Sequence, residues 1–239
     1  VPIVIAHRGA SFALPEHSRQ AYEQALLDGA DGLECDVRLS RDGHLVLLHD
    51  RLLDRTSAGR GPASKRTLSE LRELDLLTLD ELIEMARGAG RPIQLMIETK
   101  HPNRYGQAVE YRLTALLRRH GLTRPDPDDQ VRVTVMSFSP LAVRRMRQLA
   151  PALPRVQLME LIPPGLKPSR LPFGARIAGP GLSLVRRRPE LIRRLKACGH
   201  QVYVWTVNDL ADVDLVMSLG VDGIITDRPG AVREHLLSR

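Results

Sequence analysis

Cysteine is nearly absent. The 239 residues hold only Cys35 and Cys198, which excludes a disulfide framework and points to a reducing, cytoplasmic compartment. Aromatics are as sparse, at 3% of the chain, so there is little material for the base-stacking platforms of a nucleic-acid binder. No run approaches the ~18 apolar residues of a membrane-spanning helix. No signal peptide is visible before residues 3–6, which enter a strand at once. Lysine is scarce too: Lys65, Lys100, Lys167 and Lys196 are the only four among 35 basic residues.

What is present is arginine, and a net charge of +7. The runs Arg144-Arg145, Arg186-Arg187-Arg188 and Arg193-Arg194 are shorter than the blocks of five or more that mark interaction tails, so they read as solvated helix faces. The positive field suits a small anionic substrate; contact with a membrane surface is compatible with it but not required. Nucleic acid is not expected. Hydrophobic residues at 43% and charged residues at 26% make an ordinary globular balance, which argues against disorder. Without a linker or low-complexity stretch, one domain over residues 1–239 is expected. Nothing in the sequence sets an oligomeric state.

Short β-branched or Leu-rich runs alternate with amphipathic segments almost from end to end. Strands are predicted at 3–6, 32–38, 93–98, 132–137, 155–159, 176–178, 201–206 and 223–226. Helices are predicted near 17–28, 79–87, 106–120, 140–149, 188–197, 210–219 and 231–237, supported by Asn208-Asp209 and Pro189 as start signals. Eight strands with helices between them imply parallel pairing through right-handed crossovers, and the count and length favour a (β/α)₈ TIM barrel. The polar, Gly/Ser-containing stretch 51–78 is the expected excursion, a small insertion after the second strand. The sixth strand falls in the Pro-rich stretch 163–180.

Barrel active sites form at the carboxyl ends of the strands, where this chain repeatedly carries polar residues. Glu34 and Asp36 lie two apart in a strand, so both carboxylates face one way and Cys35 the other. Asp42-Gly43 between apolar runs signals a hairpin, and folding back there returns His49 to the level of Cys35. His7 follows the first strand and precedes Arg8, a planar fork suited to phosphate oxygens, and Gly9, which permits close backbone approach. Glu98 and Lys100 again share a face. Three carboxylates would select a hard divalent cation, Mg²⁺ or Ca²⁺. Two imidazoles suit a reaction needing an acid and a base near neutral pH, and phosphodiester cleavage fits the set.

Taken in order, Ala6-His7-Arg8-Gly9-Ala10, Pro15-Glu16, Gly29–Val37, His49-Asp50, Asp54-Arg55-Thr56-Ser57, Ile97-Glu98-Thr99-Lys100, Val204–Asn208 and Gly220–Pro229 resemble the glycerophosphodiester phosphodiesterase family. The resemblance implies that Glu34, Asp36 and Glu98 bind one divalent cation and that His7 and His49 are acid and base. It also implies that Arg8 and Lys100 hold the phosphate and that Trp205 lines the pocket. The implied substrate is a small glycerophosphodiester, giving glycerol 3-phosphate and an alcohol. Pro15-Glu16-His17-Ser18 stands where the family has Pro-Glu-Asn-Thr, which assigns Glu16 and His17 to the surroundings of the site. The run 74–82 is shortened, and with it the lid over the alcohol. Two alternatives remain: a lysophospholipase D-type activity on single-chain phospholipids, and a non-catalytic barrel that binds phosphodiesters.

Overall fold

Nine strands form one closed sheet in the computed structural model, which describes residues 1–126, 128–162 and 170–238. In chain order they are β1 (Ile3–His7), β2 (Gly32–Leu39), β3 (Leu45–Leu47), β4 (Ile93–Thr99), β5 (Val131–Ser137), β6 (Arg155–Met159), β7 (Ile177–Pro180), β8 (Gln201–Val204) and β9 (Gly223–Thr226). All but β3 pair in parallel. The order β1-β9-β8-β7-β6-β5-β4-β2 closes through β1–β2 pairing into an eight-stranded barrel, and β3 lies antiparallel on β2. The predicted strands are all observed within a few residues of their expected ends. The sixth in the barrel is Ile177–Pro180, while 163–169 of the Pro-rich stretch lies outside the described residues.

The period of two decides which side chains go where. Ile5, Met96, Met136, Val156, Leu158, Ile177, Tyr203 and Ile225 point inward and fill the barrel. Their neighbours point outward, so that Leu33, Cys35, Val37, Leu95 and Ile97 meet the helices. Cys35 therefore sits in the outer layer, facing away from Glu34 and Asp36, as the alternation requires.

The helices are α1 (Arg19–Leu27), α2 (Leu68–Arg72), α3 (Leu79–Arg87), α4 (Ala108–Arg119), α5 (Pro140–Leu149), α6 (Leu182–Arg187), α7 (Pro189–Ala197), α8 (Leu210–Ser218) and α9 (Pro229–Leu237). Their starts are written locally. Thr78 with Glu81, and Thr67 with Glu70, make capping boxes for α3 and α2. Ser139 caps α5 ahead of Pro140 in its first turn. The buried stripe Leu79, Leu82, Ile83 and Ala86 lays α3 on the sheet, each large apolar member contributing roughly 1.5–3 kcal/mol relative to exposure. Two short helices, α2 and α6, were not anticipated. The expected insertion is present; it follows β3, contains α2, and packs Leu53, Ala63 and Leu71 against Val46 and Leu48 in a small core of its own.

One buried ion pair fixes the loop that carries Lys100. Glu110 of α4, with no exposed surface, accepts hydrogen bonds from His101 Nε2 and from Arg145 Nε of α5. Burial alone would raise the Glu110 carboxyl, but the hydrogen bonds and charge attraction of His101 and Arg145 outweigh it and hold it below its ordinary value. Removing one partner of a buried pair costs about 3–5 kcal/mol, so Glu110→Ala is expected to lower the melting temperature by roughly 6–20 °C near neutral pH. The carboxylate binds fewer protons folded than unfolded. Its contribution is therefore complete above the unfolded value of about 4.3 and is lost as pH falls through the depressed folded value. Thermal melts across pH check this: the gap between wild type and Glu110→Ala should hold from pH 7 to 5 and narrow below about 4.

Candidate active site

At the carboxyl end of β1 the chain turns sharply. Arg8 and Gly9 both take left-handed backbone, with φ of 57° and 87°. A Cβ on Gly9 would stand 2.6 Å from the backbone of Ala21 in α1, so only glycine lets the helix approach this closely. The turn directs the Arg8 backbone N–H onto Glu34, 3.2 Å from Oε2.

Glu34 and Asp36 project from β2 into the barrel mouth, and Glu98 of β4 lies opposite Asp36 in the strand register. All three are buried, and one oxygen from each falls within 4.8 Å of the others. Arg8 Nε stands 2.9 Å from Asp36 Oδ2. Lys100 Nζ bridges Glu98 Oε1 at 2.8 Å and Asp36 Oδ1 at 3.2 Å. The plain Glu98–Lys100 ion pair is thus made, inside the acidic cluster.

These charges do not balance. Burial tends to raise Asp36, but the His17 hydrogen bond and the charges of Lys100 and Arg8 hold it well below the carboxylate range. Burial, then repulsion from Asp36, pushes Glu34 far up and Glu98 up to about 8. With all three carboxyls ionised, two fixed cations would leave one formal negative charge in a buried space, which is why two of the acids are pushed toward their neutral form. A divalent cation among the three acids would relieve that excess, and the all-oxygen donor set fits a hard ion.

Both predicted imidazoles reach this mouth, each oriented by an acid. His7 pairs with Glu34 in the strand register, and its Nδ1 lies 2.6 Å from Asp227 Oδ1. Asp227 in turn accepts from Ser11 Oγ at 2.9 Å and Asn208 Nδ2 at 2.7 Å. His49 arrives through β3. Val37 pairs with Leu47, and the Leu48 N–H donates to Asp36 O, so the hairpin returns the chain to the level of Asp36 one residue before His49. The Arg38 guanidinium grips the His49 carbonyl at 3.0 and 2.7 Å. His49 Nδ1 lies 2.7 Å from Asp50. Burial lowers the His49 pKa, outweighing the attraction of Asp36, so the ring is neutral near pH 7. In both rings Nδ1 is engaged by a carboxylate.

Beyond His49 the contacts continue as a chain. Asp50 accepts from Arg55 Nε at 2.6 Å; Arg55 holds both oxygens of Glu16 at 2.8 Å; Glu16 accepts from Arg8 Nη1 at 3.2 Å. The Arg55 hydrogen bond, with that of His49, draws Asp50 down to about 2. Glu16 thereby joins the β1 loop to the insertion. His17 is not in α1 as predicted: Ser18 caps that helix, and His17 is buried ahead of it with φ of 60°. Burial lowers its pKa, and its Nε2 faces Asp36 Oδ2 at 3.0 Å while the Tyr22 hydroxyl lies between His17 Nδ1 at 2.8 Å and the Glu34 carbonyl at 3.2 Å. Trp205 donates Nε1–H to Gly179 O and meets Phe138 edge-on at 5.3 Å, while Lys100 Nζ lies 6.0 Å from the Phe138 ring. The indole is therefore both barrel filling and part of an aromatic wall beside Lys100.

Asp227, Asp50, Arg55 and Arg38 escaped the sequence reading as members of the site. Asp227 had a usable signal, a charged residue straight after the apolar strand Gly223–Thr226. Arg55 had only its place in the family-like run Asp54-Arg55-Thr56-Ser57, because its partners lie 5 and 39 residues away.

Known proteins resemble this chain over nearly its whole length. Residues 7–231 match the model of the glycerophosphoryl diester phosphodiesterase family. The chain is 45% identical to the probable glycerophosphodiester phosphodiesterase 1 of Mycobacterium tuberculosis, across 98% of this chain and 92% of that one. It is 31% identical to the glycerophosphodiester phosphodiesterase of Bacillus subtilis, across 95% and 84%. Among solved structures it resembles an Oleispira antarctica phosphodiesterase in complex with the product sn-glycerol-3-phosphate. The TM-score there is 0.85 at 26% identity, covering 99% of this chain and 97% of that one.

Proposed function

This chain belongs to the glycerophosphoryl diester phosphodiesterase family and hydrolyses glycerophosphodiesters, and from that premise we propose that Glu34, Asp36 and Glu98 would hold one divalent cation and that His7 and His49 act as the acid–base pair. The observation that carries this reading is the convergence of three buried carboxylates from two strands, beside two acid-oriented imidazoles, one at the end of β1 and one two residues past β3.

Mg²⁺ or Ca²⁺ bound there supplies Lewis-acid neutralisation of a phosphate oxygen. Arg8 and Lys100 neutralise the remaining phosphate charge with N–H groups already anchored on Asp36 and Glu98. With a divalent ion the cluster carries one formal positive charge, which matches the single negative charge of a phosphodiester. One imidazole takes the proton of the attacking hydroxyl at Nε2, and the other delivers a proton to the departing alkoxide. Asp227 and Asp50 fix the tautomers and ring orientations for these transfers. The same pair serves whether the nucleophile is water or the substrate's own glycerol hydroxyl.

The product bound to the Oleispira protein supports a small glycerophosphodiester as substrate. A second reading, single-chain phospholipids, is favoured by an apolar rim: Phe12, Phe138, Leu141, Leu161, Ile162 and Leu210 are all exposed on loops or first helical turns beyond the strand ends. Among the described residues no helix is long and apolar enough to cross a membrane. Alcohol release from glycerophosphocholine and from lysophosphatidylcholine distinguishes the two, assayed in chelator and then with each metal restored, with and without anionic vesicles. We expect metal-dependent release from the small diester. Faster release from the lysolipid would favour the second reading, and tight binding without release in every metal would overturn hydrolysis.

A further inference from the structure

At the opposite end of the barrel, a basin of about 960 Å³ opens where β6, β7 and β8 begin. Four arginines from separate segments line it: Arg147 in the last turn of α5, Arg155 at the start of β6, Arg170, and Arg176 just before β7. His200 stands at its edge, ahead of β8. No Asp or Glu is among the lining residues.

Several arginines elsewhere meet a carboxylate, among them Arg186 with Asp212, Arg119 with Asp80, Arg145 with Glu110, Arg233 with Asp31 and Arg87 with Glu84. Among the described residues, Arg147, Arg155, Arg170 and Arg176 have no acidic partner within ion-pair distance; Arg155 instead donates Nη1 to the carbonyls of Pro151 and Leu153. Arg155 Nε and His200 Nε2 are buried without a hydrogen-bond partner. Burial and the neighbouring charges of Arg147 and Arg176 make the Arg155 cation harder to hold. Like charges gathered in a concavity focus a positive potential and destabilise one another until an anion enters.

We propose that this basin is a second anion site, distinct from the candidate active site, which takes a phosphoryl group. Planar guanidinium forks match the oxygens of a tetrahedral oxyanion, and several of them suit a multiply charged phosphate better than a carboxylate. The group arrives either on a soluble phosphate or on the headgroup of an anionic phospholipid. The inference rests on the basin alone and does not depend on the assignment of the catalytic residues.

Inorganic phosphate is the probe, titrated calorimetrically into the full chain in chelator at constant ionic strength. The Arg147→Gln/Arg176→Gln double variant is expected to bind phosphate at least about tenfold more weakly, with glycerophosphocholine turnover unchanged. An Arg193→Gln/Arg194→Gln variant removes the same charge from the exposed face of α7 and should bind like the wild type. Sedimentation with phosphatidylglycerol or phosphatidylcholine vesicles then identifies the source. Retention on phosphatidylglycerol, lost only in the basin variant, assigns a lipid headgroup; phosphate binding without vesicle retention assigns a soluble ligand. Equal phosphate binding by the wild type and the basin variant, or equal weakening in both double variants, would overturn the site.

Discussion

Replacing His49 by alanine is expected to lower kcat for glycerophosphocholine by at least about a hundredfold, the lower end of what general acid–base catalysis contributes. The fold should persist, for physical reasons visible around the residue. Its side chain is about one-third exposed and bonds to Asp50, while the contact that fixes the strand end, Arg38 on the His49 carbonyl, belongs to the backbone and survives. His7→Ala should behave alike, since its ring bonds Asp227, which keeps Ser11 and Asn208. Steady-state kinetics beside a thermal melt separate loss of chemistry from loss of structure. Near-normal turnover by either variant removes the assignment.

The larger loss is expected from the acidic cluster. Lewis-acid stabilisation is worth several kcal/mol, and each 1.36 kcal/mol is tenfold in rate, so Asp36→Asn or Glu98→Gln should cost at least about a thousandfold in kcat/KM. Glu98→Gln alone should have the opposite effect on stability without metal. Glu98 is raised to about 8 by burial and by Asp36, so between its unfolded value of about 4.3 and that value the folded chain binds more protons than the unfolded one. Stability of the metal-free protein therefore falls as pH rises through this window. At pH above 8, in chelator, Glu98→Gln is expected to melt higher than the wild type, because the amide carries no buried charge. With Mg²⁺ or Ca²⁺ added, the order reverses: the wild type gains and the variant does not. A wild type that melts higher than Glu98→Gln in chelator at pH 9 would contradict the electrostatic reading.

Much of this site is legible because strands obey a period of two and barrels put chemistry at strand ends. Glu34 and Asp36 could be assigned a common face, and Asp42-Gly43 fixed a register that carried His49 to the right level. What stayed hidden depends on side-chain reach. His7 and Asp227 are 220 residues apart, and nothing local announces that they touch. The chain from Asp50 through Arg55 and Glu16 to Arg8 needs an insertion to fold back over the β1 loop, which no periodicity encodes. Short elements were lost for another reason. At five and six residues, α2 and α6 are too brief to show a helical stripe, although the capping box Thr67–Glu70 was a sufficient signal for the first. Arginine misled in both directions. The sequential run at 186–188 pairs in part with Asp212 on α8, whereas the unpaired four at the barrel base are scattered through the chain and meet only in three dimensions.

Cation binding itself tests the centre most directly. Calcium or magnesium titrated into chelator-stripped protein, followed by calorimetry and by metal analysis after dialysis, should give one bound ion per wild-type chain and none for the Glu34→Gln/Asp36→Asn/Glu98→Gln triple variant. An unchanged bound ion in the triple variant, or a folded wild type that turns over glycerophosphocholine at full rate with no ion bound, would contradict it.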